Sequence, residues 1–119
     1  TWEAAASAAH NKVDHLIAFL DSNKYQLDDS TAAICNMEPM AEKWRSFGWH
    51  TMEIDGHDYG QILKAEAEAR KVQDKPVMII ADTVKGKGVS FMENSSHWHG
   101  AVPSQEQYKA ARLELGGAL

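Results

Sequence analysis

The apolar run Val77-Met78-Ile79-Ile80-Ala81, opened by Pro76, constrains the fold of this chain more than any other stretch. A short continuous apolar run with β-branched residues suits a strand covered on both faces, as in a parallel sheet, rather than one with a wet face. Two further runs resemble it, His15-Leu16-Ile17-Ala18-Phe19-Leu20 and the segment from Trp49 to Ile54. Between and around them lie helical patterns. One runs from Trp2 through Ala9, with Thr1 as a possible N-cap. A second starts near Glu38-Pro39 and closes before Gly48. A third runs from Asp58 through Ile62, Leu63, Ala65, Ala69 and Val72, its Lys, Glu, Gln and Arg residues forming a solvated face. The last starts at Ser104, with Glu106 and Gln107 placed near a capping box, and ends at Gly116-Gly117. Strands alternating with helices predict an α/β fold with a parallel sheet and flanking helices.

In such sheets ligands gather at the loops beyond the carboxyl ends of the strands. Here those loops are 21–29, 55–58 and 85–103, and the residues most suggestive of chemistry fall in the first and third. Thr83-Val84-Lys85-Gly86-Lys87-Gly88 directly follows the apolar run. Ser96-His97-Trp98-His99-Gly100 lies a little further on. Glycines let backbone approach a ligand closely, lysines supply charge for phosphate, and histidines move protons near neutral pH. The combination points to a phosphorylated cofactor with acid–base chemistry beside it.

Each of these residues also has an ordinary reading. Asn23 can ligate a hard cation through its amide oxygen, with the Tyr25 carbonyl as a second donor, or it can simply satisfy a turn. Lys85 sits nearer the strand end than Lys87, yet either can be a surface lysine. His97 and His99 supply two imidazoles at zinc-like spacing, but no Cys/His cluster offers the remaining ligands. Trp98 reads as a packing anchor whose indole N–H needs a partner. His10, His15 and His50 fall in expected regular structure, and His57 in a turn with a local hydrogen bond.

Bulk properties narrow the class. The chain has 119 residues, a formal charge of −5, 44% apolar and 24% charged residues, enough for one small domain with a core. No face-wide Lys/Arg cluster supports nucleic-acid binding. No apolar stretch is long enough to span a membrane. The one cysteine, Cys35, excludes an internal disulfide, fits a reducing compartment and is expected to be buried.

Taken in order, Trp2-Glu3-Ala4-Ala5, Asp21-Ser22-Asn23-Lys24-Tyr25-Gln26-Leu27-Asp28, Trp44-Arg45-Ser46-Phe47-Gly48-Trp49, Glu53-Ile54-Asp55-Gly56-His57-Asp58, the Lys-Gly-Lys-Gly segment and Trp98-His99-Gly100 resemble transketolase. The resemblance runs along nearly the whole chain and matches the later part of the family's diphosphate-binding domain. The Lys-Gly-Lys-Gly form is most similar to the bacterial type split into two subunits. The resemblance implies thiamine diphosphate and a divalent cation, Mg²⁺ or Ca²⁺, as cofactors. It implies transfer of a two-carbon ketol unit from a ketose phosphate to an aldose phosphate. Carried over by position, Asn23 and the Tyr25 carbonyl are the metal ligands, and Lys85 lies at the cofactor site. Leu27 makes an apolar cofactor contact, and His99 touches the diphosphate and faces the donor's hydroxyls. No role transfers to His97.

The resemblance also implies what residues 1–119 do not carry: an upstream Gly-Asp-Gly metal ligand, the pyrimidine-binding domain and the glutamate that activates the aminopyrimidine. The expected setting is a homodimer or heterotetramer in the cytoplasm, with the active site between domains of different subunits. By itself the chain is expected to be inactive, and its open sheet edges to favour aggregation. Two alternatives stand beside this reading. One is a non-catalytic interaction module of the same fold, which has no physical need for Asn23, Lys85 and His99 together. The other is a related thiamine-diphosphate enzyme such as deoxyxylulose-phosphate synthase, against which the Ser-His-Trp-His-Gly loop speaks.

Overall fold

A computed structural model describes residues 1–117, in two compact units. The first comprises Thr1–Ser22 and Met37–Thr83. Its centre is a three-stranded parallel sheet in the order β1 (Ile17–Ser22), β5 (Val77–Asp82), β4 (His50–Asp55). Ile17 stands opposite Val77 and Ser22 opposite Asp82, while His50 stands opposite Val77 on the other side.

Because side chains alternate along a strand, β5 feeds two cores. Met78 and Ile80 pack with Ala5 of α1 (Trp2–His10), Trp44 of α3 (Met40–Ser46) and Trp49. Val77 and Ile79 pack on the other face with Ala65 and Ala69 of α4 (Tyr59–Ala69). Trp44 lies edge-on to Trp49 at 4.9 Å and tilted against Trp2 at 5.0 Å. The Trp49 indole donates to Ala5 O at 3.0 Å, which answers the buried N–H. A parallel sheet with helices on both faces is the architecture expected from the alternation of runs.

Three details differ from the expectation. The first strand begins at Ile17, and His15 lies in the turn before it. Its apolar run is not buried on both faces, since Phe19 is 51% exposed. The reason is position: β1 is an edge strand of this sheet, whereas β5, buried from Val77 through Ala81, is the central one. The helix expected to reach Val72 ends at Ala69, although Val72 still packs on its core.

Asp58 caps α4, accepting from the Gly60 N–H at 2.8 Å and the Gln61 N–H at 3.2 Å. Hydrogen bonds from the Gln61 backbone and side chain, then from Gly60, hold its carboxyl below the ordinary value of 3.8. A depressed folded-state value means that the cap's contribution is complete above the ordinary range and is lost as pH falls through the folded value. Asp58→Asn keeps a capping oxygen without the titration. We expect melts taken from neutral to acid pH to fall less steeply for Asp58→Asn than for the parent. Parallel profiles would show that the cap contributes no pH dependence.

The second unit comprises Asn23–Asn36 and the chain from Val84 onward. The segment after β1, read from sequence as a polar loop, is an antiparallel hairpin of β2 (Tyr25–Gln26) and β3 (Asp29–Ser30) leading into α2 (Thr31–Ile34). Cys35 follows α2 and is exposed, not buried, because α2 buries none of its residues. A short 3-10 helix spans Ser96–His99, inside the long loop. The final helix α5 (Gln105–Glu114) opens on a full capping box, in which Ser104 and Gln107 answer each other; Glu106 instead accepts from the Ser104 hydroxyl. Glu114 near its end accepts from the Ser90 hydroxyl at 2.8 Å and from the Ser90 N–H, tying helix to loop.

Candidate functional site

All five residues singled out from the sequence, Asn23, Tyr25, Leu27, Lys85 and His99, fall in the second unit. The hairpin shapes the first three. Tyr25 pairs with Ser30 and Gln26 with Asp29. The Tyr25 N–H donates to Asn23 Oδ1 at 2.9 Å, and the Ser30 N–H to Asp29 Oδ1 at 2.6 Å, so neither is spent across the ladder. One position back, the Thr31 N–H reaches Lys24 O at 2.9 Å. Antiparallel pairs alternate between bonded and non-bonded, which makes Tyr25–Ser30 a non-bonded pair. In such a pair the N–H and C=O of one residue point the same way, away from the partner strand. The Tyr25 carbonyl therefore faces the side on which Asn23 Oδ1 is held. An amide oxygen and a main-chain carbonyl on one side of the strand are donors of the kind that suits a hard cation.

Leu27 occupies the first central position of the hairpin turn with φ at 53°, in the left-handed region. A residue with a Cβ costs about 1–2 kcal/mol there. Its side chain is nevertheless apolar and 59% exposed. A turn of this kind favours glycine, and the leucine in it leaves an apolar side chain open to solvent.

The two lysines, which the sequence ranks only by nearness to the strand end, separate further in the structure. Lys87 Nζ lies 3.8 Å from Glu93 Oε1, an oxygen that also accepts from the Gly88 N–H at 3.0 Å. Lys85 is half-buried, and among the described residues its ammonium has no ion-pair partner. A half-buried cation without a local counter-charge is the one available to an anion. The Lys85 carbonyl accepts from the Asn94 N–H at 2.9 Å, and Asn94 O accepts from the Tyr25 hydroxyl at 2.5 Å. Asn23, Tyr25, Asn94 and Lys85 thus form one continuous chain of hydrogen bonds and backbone. Sequence reading missed Asn94. Its only signal was the residue type, since asparagine tolerates the left-handed φ of 53° found there.

His99 ends the 3-10 helix and is exposed. Its neighbour Trp98 is the anchor expected from sequence, with its indole donating to Phe91 O at 2.9 Å and its ring 5.5 Å from that of Phe91. His97 stands edge-on to Trp98 at 5.0 Å. Among the described residues no group of three or more His, Cys, Asp or Glu side chains could hold a metal ion, so the His-x-His pair gathers no zinc set. His57 lies in its expected turn, its N–H donating to Asp55 Oδ1 at 2.8 Å.

The unit thus presents a pair of hard oxygen donors, a half-buried cation unpaired among the described residues, and an exposed imidazole on an anchored loop. Residues 1–118 match the family described as transketolase, thiamine diphosphate binding domain. The 6-deoxy-6-sulfo-D-fructose transketolase subunit SqwG of Clostridium sp. (strain MSTE9) is 47% identical over 114 residues, covering 96% of this chain and 42% of that protein. An apulose-4-phosphate transketolase subunit from Phocaeicola vulgatus is 36% identical over 114 residues, covering 96% of this chain and 41% of that protein. Among solved structures, transketolase from Campylobacter jejuni superposes with a TM-score of 0.90 at 34% identity, covering 98% of this chain and 18% of that one. The chain therefore spans about two fifths of the length of the curated relatives it matches. With the family match along the whole described length and the same α/β fold, the chain belongs to the transketolase family, within its thiamine diphosphate-binding domain.

Proposed function

We propose that this chain is the later part of the diphosphate-binding half of a transketolase, which transfers a two-carbon ketol unit from a ketose phosphate to an aldose phosphate. The observation that carries the reading is the presence, in one compact unit, of the Asn23 and Tyr25 oxygens and of a Lys85 ammonium that has no ion-pair partner among the described residues. A magnesium or calcium complex of a diphosphate is served by both halves: oxygen donors for the cation and fixed positive charge for the remaining phosphate oxygens. The residues present fit that group. Thiamine diphosphate, when bound, supplies the carbanion-stabilising centre of ketol transfer.

The chain's own residues hold and orient. Asn23 Oδ1 and the Tyr25 carbonyl would hold the cation, and Lys85 would meet the diphosphate. Leu27 offers an apolar surface to the cofactor. His99, on the loop fixed by Trp98, stands ready to donate a hydrogen bond to phosphate and to exchange a proton with a donor hydroxyl. The Gly-Asp-Gly ligand, the pyrimidine-binding domain and its glutamate belong, in this reading, to the rest of a homodimeric or heterotetrameric assembly. The two bacterial relatives are named for a sulfonated and for a phosphorylated sugar, so an anionic ketose is the substrate class proposed here.

The test is reconstitution. The complete assembly containing this chain, given thiamine diphosphate and Mg²⁺, is expected to transfer ketol units between sugar phosphates, and the 119-residue chain alone is expected to transfer none. An assembly that does not bind thiamine diphosphate would overturn the function. Turnover by the isolated chain would overturn its place as one part of a shared site.

A further inference from the structure

Tyr25 carries a group that cation binding leaves unused. Ligation takes only its main-chain carbonyl, which any residue supplies, so the phenol is free to do something else. That hydroxyl donates to Asn94 O, 69 positions along the chain, at 2.5 Å. The Asn94 N–H in turn donates to Lys85 O at 2.9 Å. All three residues lie in the same compact unit. Building on the ketol-transfer reading, we infer that Tyr25 is a positioning residue: through the Asn94 backbone it ties the hairpin that holds the cation to the loop that carries Lys85, so that both meet one diphosphate in register.

The physical reason is that cation and lysine serve a single ligand. The cation would be held by the hairpin and Lys85 would have to reach the phosphate oxygens that the cation leaves free. The hairpin and the Lys85 loop are separate stretches of chain, and neither constrains the other by local structure. A bond joining them removes freedom that the ligand would otherwise have to freeze out on binding. Asn94 relays the link entirely by main chain, its carbonyl taking the Tyr25 hydroxyl and its N–H reaching Lys85. The left-handed φ of 53° at Asn94 is what lets it do so, and its side chain takes no part in either bond.

This separates conformation from side-chain chemistry. Asn94→Gly preserves the left-handed backbone, whereas Asn94→Val, β-branched, opposes it. The measurement is calorimetric titration of thiamine diphosphate into the complete assembly at saturating Mg²⁺. Tyr25→Phe keeps the carbonyl and is expected to weaken binding about fivefold, the effect of one net hydrogen bond. Lys85→Met weakens it further, and the double variant should match Lys85→Met alone, because Tyr25 acts through Lys85. Asn94→Gly should stay within about twofold of the parent, and Asn94→Val should fall at least as far as Tyr25→Phe.

Additive losses in the double variant would overturn the link, as would unchanged affinity in Tyr25→Phe, and both would leave the ketol-transfer reading standing. A parent assembly that binds no thiamine diphosphate overturns both. Should Tyr25→Phe fail to fold, Asn94→Gly against Asn94→Val reads the same link from its other partner, and equal affinities there would refute it.

Discussion

Asn23→Ala in the complete assembly is expected to raise the Mg²⁺ concentration needed for half-maximal thiamine diphosphate binding by about 100-fold or more. Even substitutions one step removed from a metal ligand commonly cost about 10–100-fold in metal affinity, and this one would remove a proposed ligating oxygen itself. It also removes the acceptor of the Tyr25 N–H, a half-buried bond at 2.9 Å that orients the residue whose carbonyl is the proposed second donor. Leaving such a group unanswered costs about 1–3 kcal/mol. Asn23→Asp keeps the acceptor and adds negative charge, so it should retain cation binding. The comparison is made by titrating Mg²⁺ at fixed thiamine diphosphate. A parent-like requirement in Asn23→Ala would remove Asn23 from the metal site and leave it the ordinary role of an asparagine in a turn.

Some of this was visible in the sequence, and the reasons for what was not are physical. The run Val77–Ala81 was readable because a central parallel strand must be apolar on both faces, and it is buried throughout. The run beginning at His15 looked alike. Whether a strand is central or at an edge depends on its neighbours, so the exposure of Phe19 could not be read from β1 alone. The hairpin falls almost wholly in the expected loop 21–29, because strands of two residues leave no period to detect. That hairpin is what turns the Tyr25 carbonyl towards Asn23, so the candidate site's geometry rests on an element without a sequence signature.

The lysines show the same limit. Lys85 and Lys87 share a glycine-rich turn and differ in sequence only by nearness to the strand end; the carboxylate of Glu93, which pairs with Lys87, is the difference that the chain order hides. Glu93 and Asn94 stand next to each other in the chain, yet one answers a lysine and the other relays Tyr25 to Lys85. Trp98 was legible as an anchor because a half-buried indole needs an acceptor; that the acceptor is Phe91 O was not. Residue types announced the chemistry, while non-local backbone contacts determine which copies of each type can perform it.

The largest expected loss of stability is at Gly86, where two independent requirements coincide. Its φ is 76°, a conformation that costs a residue with a Cβ about 1–2 kcal/mol. A Cβ there would also stand 2.3 Å from Met92 O and 2.6 Å from Met92 C, and these are backbone atoms that cannot rotate aside. Relief would need the segment Gly86–Asn94 to open, with a further cost of about 1–3 kcal/mol typical of overpacking. The two add to about 3 kcal/mol for Gly86→Ala, read as a shift of the denaturation midpoint at unchanged slope. The same opening would separate Asn94 from Lys85, whose bond closes this segment at 2.9 Å. Gly86→Ala should therefore lose thiamine diphosphate affinity as well as stability, although it removes no group that touches the ligand. Gly100→Ala is the matched control, since a Cβ there meets nothing within 4 Å. If Gly86→Ala unfolds with the parent's midpoint, the segment yields without cost, and the argument that it fixes Lys85 fails with it.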